Sequence, residues 1–198
     1  MTISLFKPVS QCALVCLVFA TSLAKAADWP SGTALDYSTT YDIEYDVPND
    51  GETVMREVRV QTPLANAGSN IPVVMFLHGT TSNVDVGWFA NFYKLDQYIA
   101  VIPHGLPMVN DQGQASSSLA WNHAPASNGE TKFPSGRYIH KDIAFIKDVI
   151  AKLKAYDIVD DSRFYILGGS SGGFMALSMA RQQSGLAGIG PVGASCHK

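Results

Sequence analysis

The sequence has few cysteines, no clusters of basic residues and no long apolar run. The apolar stretch at 12–20 falls short of the roughly 20 residues that a membrane-spanning helix needs. Without a basic cluster, nucleic acid is not expected as a partner. No group of His, Cys and carboxylate residues has metal-ligand spacing, so no metal and no other cofactor is predicted. Repeats and low-complexity segments are also absent, which favours a single globular domain.

The first 26 residues have the features of a secretory signal peptide. Lys7 precedes the apolar stretch, and Ala24 and Ala26 supply small residues at the two positions that a signal peptidase reads. A membrane anchor or a buried helix is the alternative interpretation. We therefore expect an exported protein, secreted or periplasmic in a Gram-negative cell, with residues 27–198 as one domain and no stable membrane association.

Removal of this segment changes the charge and the cysteine content. Loss of Lys7 and Lys25 leaves 12 basic residues against 17 acidic ones, a net charge of about −5. Cys12 and Cys16 leave with the segment, so the remaining domain keeps only Cys196. A single cysteine in an exported protein indicates either a pairing partner that this sequence does not contain or a free thiol.

Strand and helix patterns alternate along the domain. Polar and apolar residues alternate in two segments separated by residues 48–51, in which Asp50 and Gly51 are a strong turn signal. This pattern predicts an antiparallel edge pair. Strands are predicted at 37–47, 52–62, 71–77, 98–103, 164–167 and 186–192. Helices are predicted near 86–95, 139–153 and 172–183. This order predicts the α/β class, with a mostly parallel sheet and helices on both faces.

Residues 105–136 are rich in Ser, Asn, Gly and Pro. Structureless segments of this length usually act as lids or binding loops. Trp121 lies in the middle of this segment and is the predicted substrate-binding residue.

The strongest chemical signal lies at 163–177, where an apolar strand, a Gly-Ser turn and a helix follow one another. Gly169, Ser171 and Gly173 fit G-x-S-x-G, the nucleophile elbow, which places a serine on a tight strand-to-helix turn. Small residues suit this turn because a larger side chain would meet the strand or the helix. We therefore predict Ser171 as the nucleophile and the Gly172 N–H as an oxyanion donor. The alternative is a turn that only lets a strand pack on a helix.

A second oxyanion donor is predicted from the turn that follows the buried strand at 71–77. We assign it to Thr80, since α/β-hydrolases take their second donor N–H from this loop. The alternative is that His78 and Gly79 only turn the chain.

A serine nucleophile also needs a general base and an acid behind it. In α/β-hydrolases both follow the serine. No Asp or Glu follows Ser171, and His197 is the one histidine after it. The acid and base are therefore not identified. Structural or solvated roles are preferred for the earlier histidines, which are His78, His104, His123 and His140.

Several separate blocks of the sequence resemble one family. The blocks are 72–79, Trp88, 120–122, Asp142 with 145–146, 161–165 and 169–175. Together they look like the secreted polyhydroxybutyrate depolymerase and feruloyl or acetylxylan esterase group, over about residues 41–192. The resemblance implies an α/β-hydrolase that uses Ser171 to hydrolyse a polymer-derived or plant-cell-wall ester outside the cell.

The resemblance also implies that the chain is truncated. The family continues through two further strands that carry the catalytic Asp and His, and a partner for Cys196 could lie there. Two other functions stay open. The segment 168–177 also resembles the elbow of prolyl-oligopeptidase-type serine peptidases, and the chain could be a catalytically dead remnant or binding protein.

Overall fold

The structure is a computed structural model that describes residues 28–49, 52–64, 68–80, 97–109, 115–122 and 141–194. Several predictions lie outside these residues. They concern the signal peptide at 1–26, the helix near 86–95, Trp88, His123, His140, Cys196 and His197.

The described residues form eight strands and two helices. In chain order these are β1 (Thr40–Asn49), β2 (Glu52–Gln61), β3 (Ile71–Leu77), β4 (Ile99–Pro103), β5 (Leu106–Val109), β6 (Ala115–Ala120), α1 (Lys141–Leu153), β7 (Val159–Gly169), α2 (Ser171–Gln182) and β8 (Leu186–Val192). Six strands form one sheet in the order β1-β2-β4-β3-β7-β8, and β5 pairs with β6 in a separate hairpin.

The main sheet is mixed, as its sequence patterns predict. β1 and β2 pair antiparallel at one margin, and β2 is also antiparallel to β4. From β4 through β3 and β7 to β8 all neighbours are parallel. Every residue of β4 is buried, which explains its unbroken apolar sequence. The carboxyl ends of these four parallel strands all lie on one side of the sheet, called here the carboxyl edge.

Side chains from the two faces of the sheet enter two different apolar clusters. The larger cluster holds Val73, Met75 and Leu77 of β3 together with apolar residues of both described helices. On α1 the apolar residues at helical spacing between Ile143 and Leu153 enter this cluster, as predicted. The smaller cluster centres on Phe76, Ala100 and Ile102 of the opposite face. No helix in the described ranges has the length and apolar character to cross a membrane.

Two segments differ from the sequence interpretation. The stretch predicted as a structureless loop contains the β5–β6 hairpin, in which Leu106 pairs with Ala120. β7 begins at Val159 rather than at Phe164, because Val159 pairs with Ile71. The register with β3 then shifts before Phe164 pairs with Val73, so the polar residues 160–163 form an irregularity in the ladder. The hairpin brings Trp121, the residue after β6, to the carboxyl edge.

Candidate active site

Three loops meet at the carboxyl edge because parallel strands end on the same side of a sheet. They follow β3, β4 and β7, and they begin at His78, His104 and Ser170. Ligand and active sites of open α/β sheets form at this edge. The candidate site is therefore the place where these loops approach one another.

Ser170 occupies a strained bend between β7 and α2. Its backbone dihedrals are φ 50 and ψ −118, a region that non-glycine residues rarely adopt. Such a conformation costs on the order of 1–3 kcal/mol and persists where the surroundings impose it. Here the Ser170 N–H donates to the carbonyl of Val192 at 2.8 Å, and its own carbonyl accepts the Phe174 N–H at 3.1 Å. Ser170 is exposed at the top of this bend.

Glycines two positions before and after Ser170 allow this bend. A Cβ on Gly168 would lie 2.2 Å from the carbonyl oxygen of Gly172. A Cβ on Gly172 would lie 2.1 Å from the carbonyl oxygen of Leu77, the last residue of β3. Both contacts are with backbone, which cannot rotate away. Gly168, Ser170 and Gly172 therefore form a second G-x-S-x-G match, overlapping the one centred on Ser171.

We expect Gly172→Ala to destabilise the fold by about 3 kcal/mol or more, because the added methyl would force the start of α2 away from β3. Gly188→Ala in β8 is the matched control, since its methyl would meet only the Tyr165 ring, at 3.2 Å. That variant should lose about 1 kcal/mol or less. Urea unfolding of both proteins measures the difference, and equal losses would contradict the backbone contact.

Ser171, the predicted nucleophile, has a different position from the one expected. It is the first residue of α2 and is 8% exposed. Its Oγ accepts the backbone N–H of Trp121 at 3.1 Å. The strained bend is at Ser170 and not at Ser171. Backbone dihedrals therefore distinguish the two overlapping motif matches, and the sequence pattern alone does not.

The position of the bend bears on Gly172, the first of the two predicted oxyanion donors. In a nucleophile elbow the donor is the N–H of the residue after the serine, which for Ser170 is Ser171 rather than Gly172. The N-terminal N–H groups of a helix have no partner within the helix and can bind an anion. Gly172 instead provides the close approach of α2 to β3.

The loop after β3 passes directly beside the elbow. The Cβ position of Gly79 is 3.4 Å from the Cβ of Ser170 and 3.3 Å from the carbonyl oxygen of Gly169. Thr80, the next residue, is exposed. The structure thus brings together the loop of the predicted second donor and Ser170.

His78 is a buried, neutral histidine whose two ring nitrogens both have backbone partners. Nδ1–H donates to the carbonyl of Gly79 at 2.5 Å, and Nε2 accepts the Gly105 N–H at 2.9 Å. Burial above all, with smaller effects of the nearby His104 and Arg56, lowers its pKa from 6.5 to about 4, and the Gly79 hydrogen bond and Asp142 oppose this shift. With both nitrogens engaged, His78 is not placed to act as a general base.

Trp121 was predicted to bind substrate, but its indole is only 1% exposed. Nε1–H donates to the carbonyl of His78 at 2.8 Å, and the two rings lie 5.0 Å apart. The ring therefore packs beneath the site and has almost no surface for a substrate. Its backbone N–H, through Ser171, ties the end of β6 to the elbow.

A buried ion pair supports the loop that carries Trp121. Arg56 and Asp142 are 3% and 2% exposed, and Nη1 lies 2.7 Å from Oδ1. The second carboxylate oxygen of Asp142 accepts the Asn122 N–H at 2.6 Å. Arg56 also donates to the carbonyl of His104 at 2.9 Å, and its guanidinium lies 3.8 Å from the centre of the Phe145 ring.

This pair forms at the carboxyl edge for reasons of topology. β2 runs opposite to β4, so the first half of β2 reaches the edge at which β4 ends. Asp142 lies in the first turn of α1, and the N-terminus of a crossover helix starts from the same edge. Nothing in the local sequence distinguishes Arg56 from the other polar residues of its alternating strand, so Arg56 was not predicted.

His104 points to a different surface. Its Nδ1 lies 2.8 Å from Oε2 of the exposed Glu57. A hollow of about 150 Å³ lies beside this pair, lined by Asp42, Ile43, Glu44, Glu57, Val58, Arg59 and His104. No elbow residue lines it. His78 and His104 are the two histidines in the described ranges. Both ring nitrogens of His78 are engaged with backbone, and His104 pairs through Nδ1 with Glu57 beside a hollow that no elbow residue lines, so these ranges do not identify the general base.

The fold matches solved structures of esterases. A poly(3-hydroxybutyrate) depolymerase, LpqC from Bordetella parapertussis, is 20% identical with a TM-score of 0.52 over 77% of this chain and 51% of its own. An acetyl xylan esterase from Paenibacillus sp. R4 is 19% identical with a TM-score of 0.52, over 83% of this chain and 50% of its own. The fold is that of the α/β-hydrolases.

A further solved structure matches the fold, whereas the family and curated comparisons find no match. The BES protein from Bacillus cereus is 14% identical with a TM-score of 0.55, over 84% of this chain and 67% of its own. The chain spans about half the length of the first solved structures that it matches. No family model matches the chain. No curated protein matches it either.

Proposed function

We propose that the protein is a serine carboxylic ester hydrolase with Ser170 as its nucleophile. The observation that carries this proposal is the strained, exposed Ser170 at the carboxyl edge, beside the Gly79–Thr80 loop. A strained residue held by surrounding backbone is typical of functional sites. The backbone N–H groups of Ser171 and Thr80 are the proposed oxyanion donors.

The proposed reaction follows from these positions. Ser170 Oγ attacks the ester carbonyl, a C–O bond forms, and the carbonyl electrons move onto oxygen. The two backbone N–H groups and the positive end of α2 stabilise that oxyanion. The oxyanion then collapses, the bond between the acyl carbon and the alkoxide oxygen breaks, and the alkoxide leaves as an alcohol with the proton lost by Ser170. Water repeats the attack on the acyl-enzyme, the bond from the acyl carbon to Ser170 Oγ breaks, and the acid leaves while a proton of the water returns to Ser170. The described residues do not identify the base that transfers these protons.

The subtype and the location are part of the same proposal. We infer an exported enzyme of the polyhydroxybutyrate depolymerase or feruloyl esterase type that acts on polymer-derived or plant-cell-wall esters. Support comes from the signal-like segment at 1–26, from the resemblance blocks, and from solved structures described as a poly(3-hydroxybutyrate) depolymerase and an acetyl xylan esterase. The whole enzyme's substrate is therefore expected to be an ester of a hydroxy acid or a carbohydrate.

A fluorophosphonate probe tests the proposal because it reacts with activated serines. Trypsin releases the peptide 164–181, which contains both Ser170 and Ser171, and fragmentation of this peptide locates the adduct. We expect the adduct on Ser170, together with turnover of short p-nitrophenyl esters. A folded protein with neither labelling nor turnover would favour the remnant or binding protein, and cleavage of prolyl peptides alone would favour the peptidase.

A further inference from the structure

One peptide group at the candidate site is held by the buried side chain of His78. His78 Nδ1–H donates to the carbonyl of Gly79 at 2.5 Å. That carbonyl and the Thr80 N–H belong to the same peptide group, which is planar and trans. In a trans peptide the C=O and N–H bonds point in opposite directions. The ring that holds the Gly79 oxygen therefore sets the direction of the Thr80 N–H.

The imidazole ring is itself held in one orientation and one tautomer. Nε2 accepts the Gly105 N–H at 2.9 Å, so the proton must lie on Nδ1. Gly105 approaches closely: a Cβ there would lie 3.2 Å from Cε1 of His78 and 2.4 Å from the carbonyl oxygen of Ala120. Trp121 Nε1–H holds the His78 backbone carbonyl at 2.8 Å.

The held peptide group lies next to Ser170. The Cβ position of Gly79 is 3.4 Å from the Cβ of Ser170. A small rotation of the Gly79–Thr80 peptide would therefore move the Thr80 N–H relative to any oxygen bound above Ser170. An oxyanion donor works only when it is preorganised toward the place where the charge develops.

We propose that His78 is a positioning residue that aims the Thr80 N–H at the oxyanion. The inference deepens the proposed function and rests on it. His78 neither touches the substrate nor transfers a proton, since both of its nitrogens are engaged with backbone. Its contribution is to keep one peptide group from rotating.

Two variants of similar size separate the two contacts of the ring. In His78→Asn the side-chain N–H can occupy the place of Nδ1–H and donate to Gly79, whereas the contact with Gly105 is lost. In His78→Gln the side-chain oxygen can occupy the place of Nε2 and accept the Gly105 N–H, whereas the donor to Gly79 is lost. Asn should therefore rescue the positioning role, and Gln should not.

We expect His78→Gln to lower kcat for p-nitrophenyl acetate by about 100-fold with KM little changed, since a misplaced oxyanion donor affects the transition state alone. His78→Asn should stay within about 10-fold of the unsubstituted protein. Thermal unfolding of both variants is the control. Equal loss of kcat in both variants, in proportion to their loss of stability, would show a purely structural role and overturn the inference.

A second readout does not depend on activity. The ¹⁵N heteronuclear NOE of the Thr80 amide reports whether that peptide group is ordered. It should fall in His78→Gln and be retained in His78→Asn. If the unsubstituted protein shows no turnover, the proposed function fails, and the Thr80 amide still decides the inference: an NOE unchanged in His78→Gln would overturn it.

Discussion

Ser170→Ala should abolish ester hydrolysis and fluorophosphonate labelling, with a fall in kcat of at least about 10³-fold. Loss of the nucleophile leaves only the binding site and the oxyanion donors. Ser171→Ala is the matched control, because it removes a hydroxyl from the adjacent residue of the same turn. It should keep the label and most of the turnover.

Ser171→Ala should instead reduce stability. Its Oγ accepts the buried N–H of Trp121, so the alanine variant leaves that donor without a partner. An unsatisfied buried donor costs roughly 1–3 kcal/mol. Labelling should therefore be lost in Ser170→Ala and kept in Ser171→Ala. Calorimetry should show the larger loss of stability in Ser171→Ala. Labelling that is lost in Ser171→Ala and kept in Ser170→Ala would instead identify Ser171 as the nucleophile.

Asp142→Ala should destabilise the protein by about 3–5 kcal/mol, because it leaves the guanidinium of Arg56 buried without its carboxylate partner. It also leaves the Asn122 N–H without its acceptor. Urea unfolding measures this loss. Asp42→Ala is the control, since the exposed pair of Asp42 with Arg59 has a similar N–O distance of 2.6 Å. That variant should change stability by less than about 1 kcal/mol.

A double substitution distinguishes the energy of the pair from the cost of an isolated charge. Replacing both partners by apolar residues of similar size, Arg56→Met with Asp142→Leu, should recover much of the lost stability. The Asn122 N–H would still lack its acceptor, so recovery should be incomplete. A double variant as unstable as Asp142→Ala would show that the ion pair is needed for folding itself.

Most strands follow from the sequence because their burial is periodic or complete. β3 and β8 have the predicted limits, and β4 begins one residue late. The β5–β6 hairpin was missed because Ala115–Ala120 is Ser-rich and lacks strand formers, so its pairing with β5 determines its structure. Local composition does not contain that pairing.

The sequence predicts Ser171 as the nucleophile, whereas the strained bend of the structure lies at Ser170. The glycine and serine turn contains two matches to one motif, and only the positive φ of Ser170 separates them. The contact of Arg56 with Asp142 joins residues 86 positions apart, and no local pattern brings them together. The same holds for His78, whose ring partners depend on how the β3 and β4 loops meet.

The hydrogen bond from the Ser170 N–H to the Val192 carbonyl links the conformation of the proposed nucleophile to β8. Val192 ends β8, which pairs on one side alone within the part of the chain that the structure describes, and Val192 is 49% exposed. Marginal strands detach at lower free energy than central ones. Once β8 detaches, the backbone at Ser170 can relax to an ordinary conformation while β3, β4 and α1 remain packed. Catalytic competence would then disappear through local fraying, well before global denaturation of the domain.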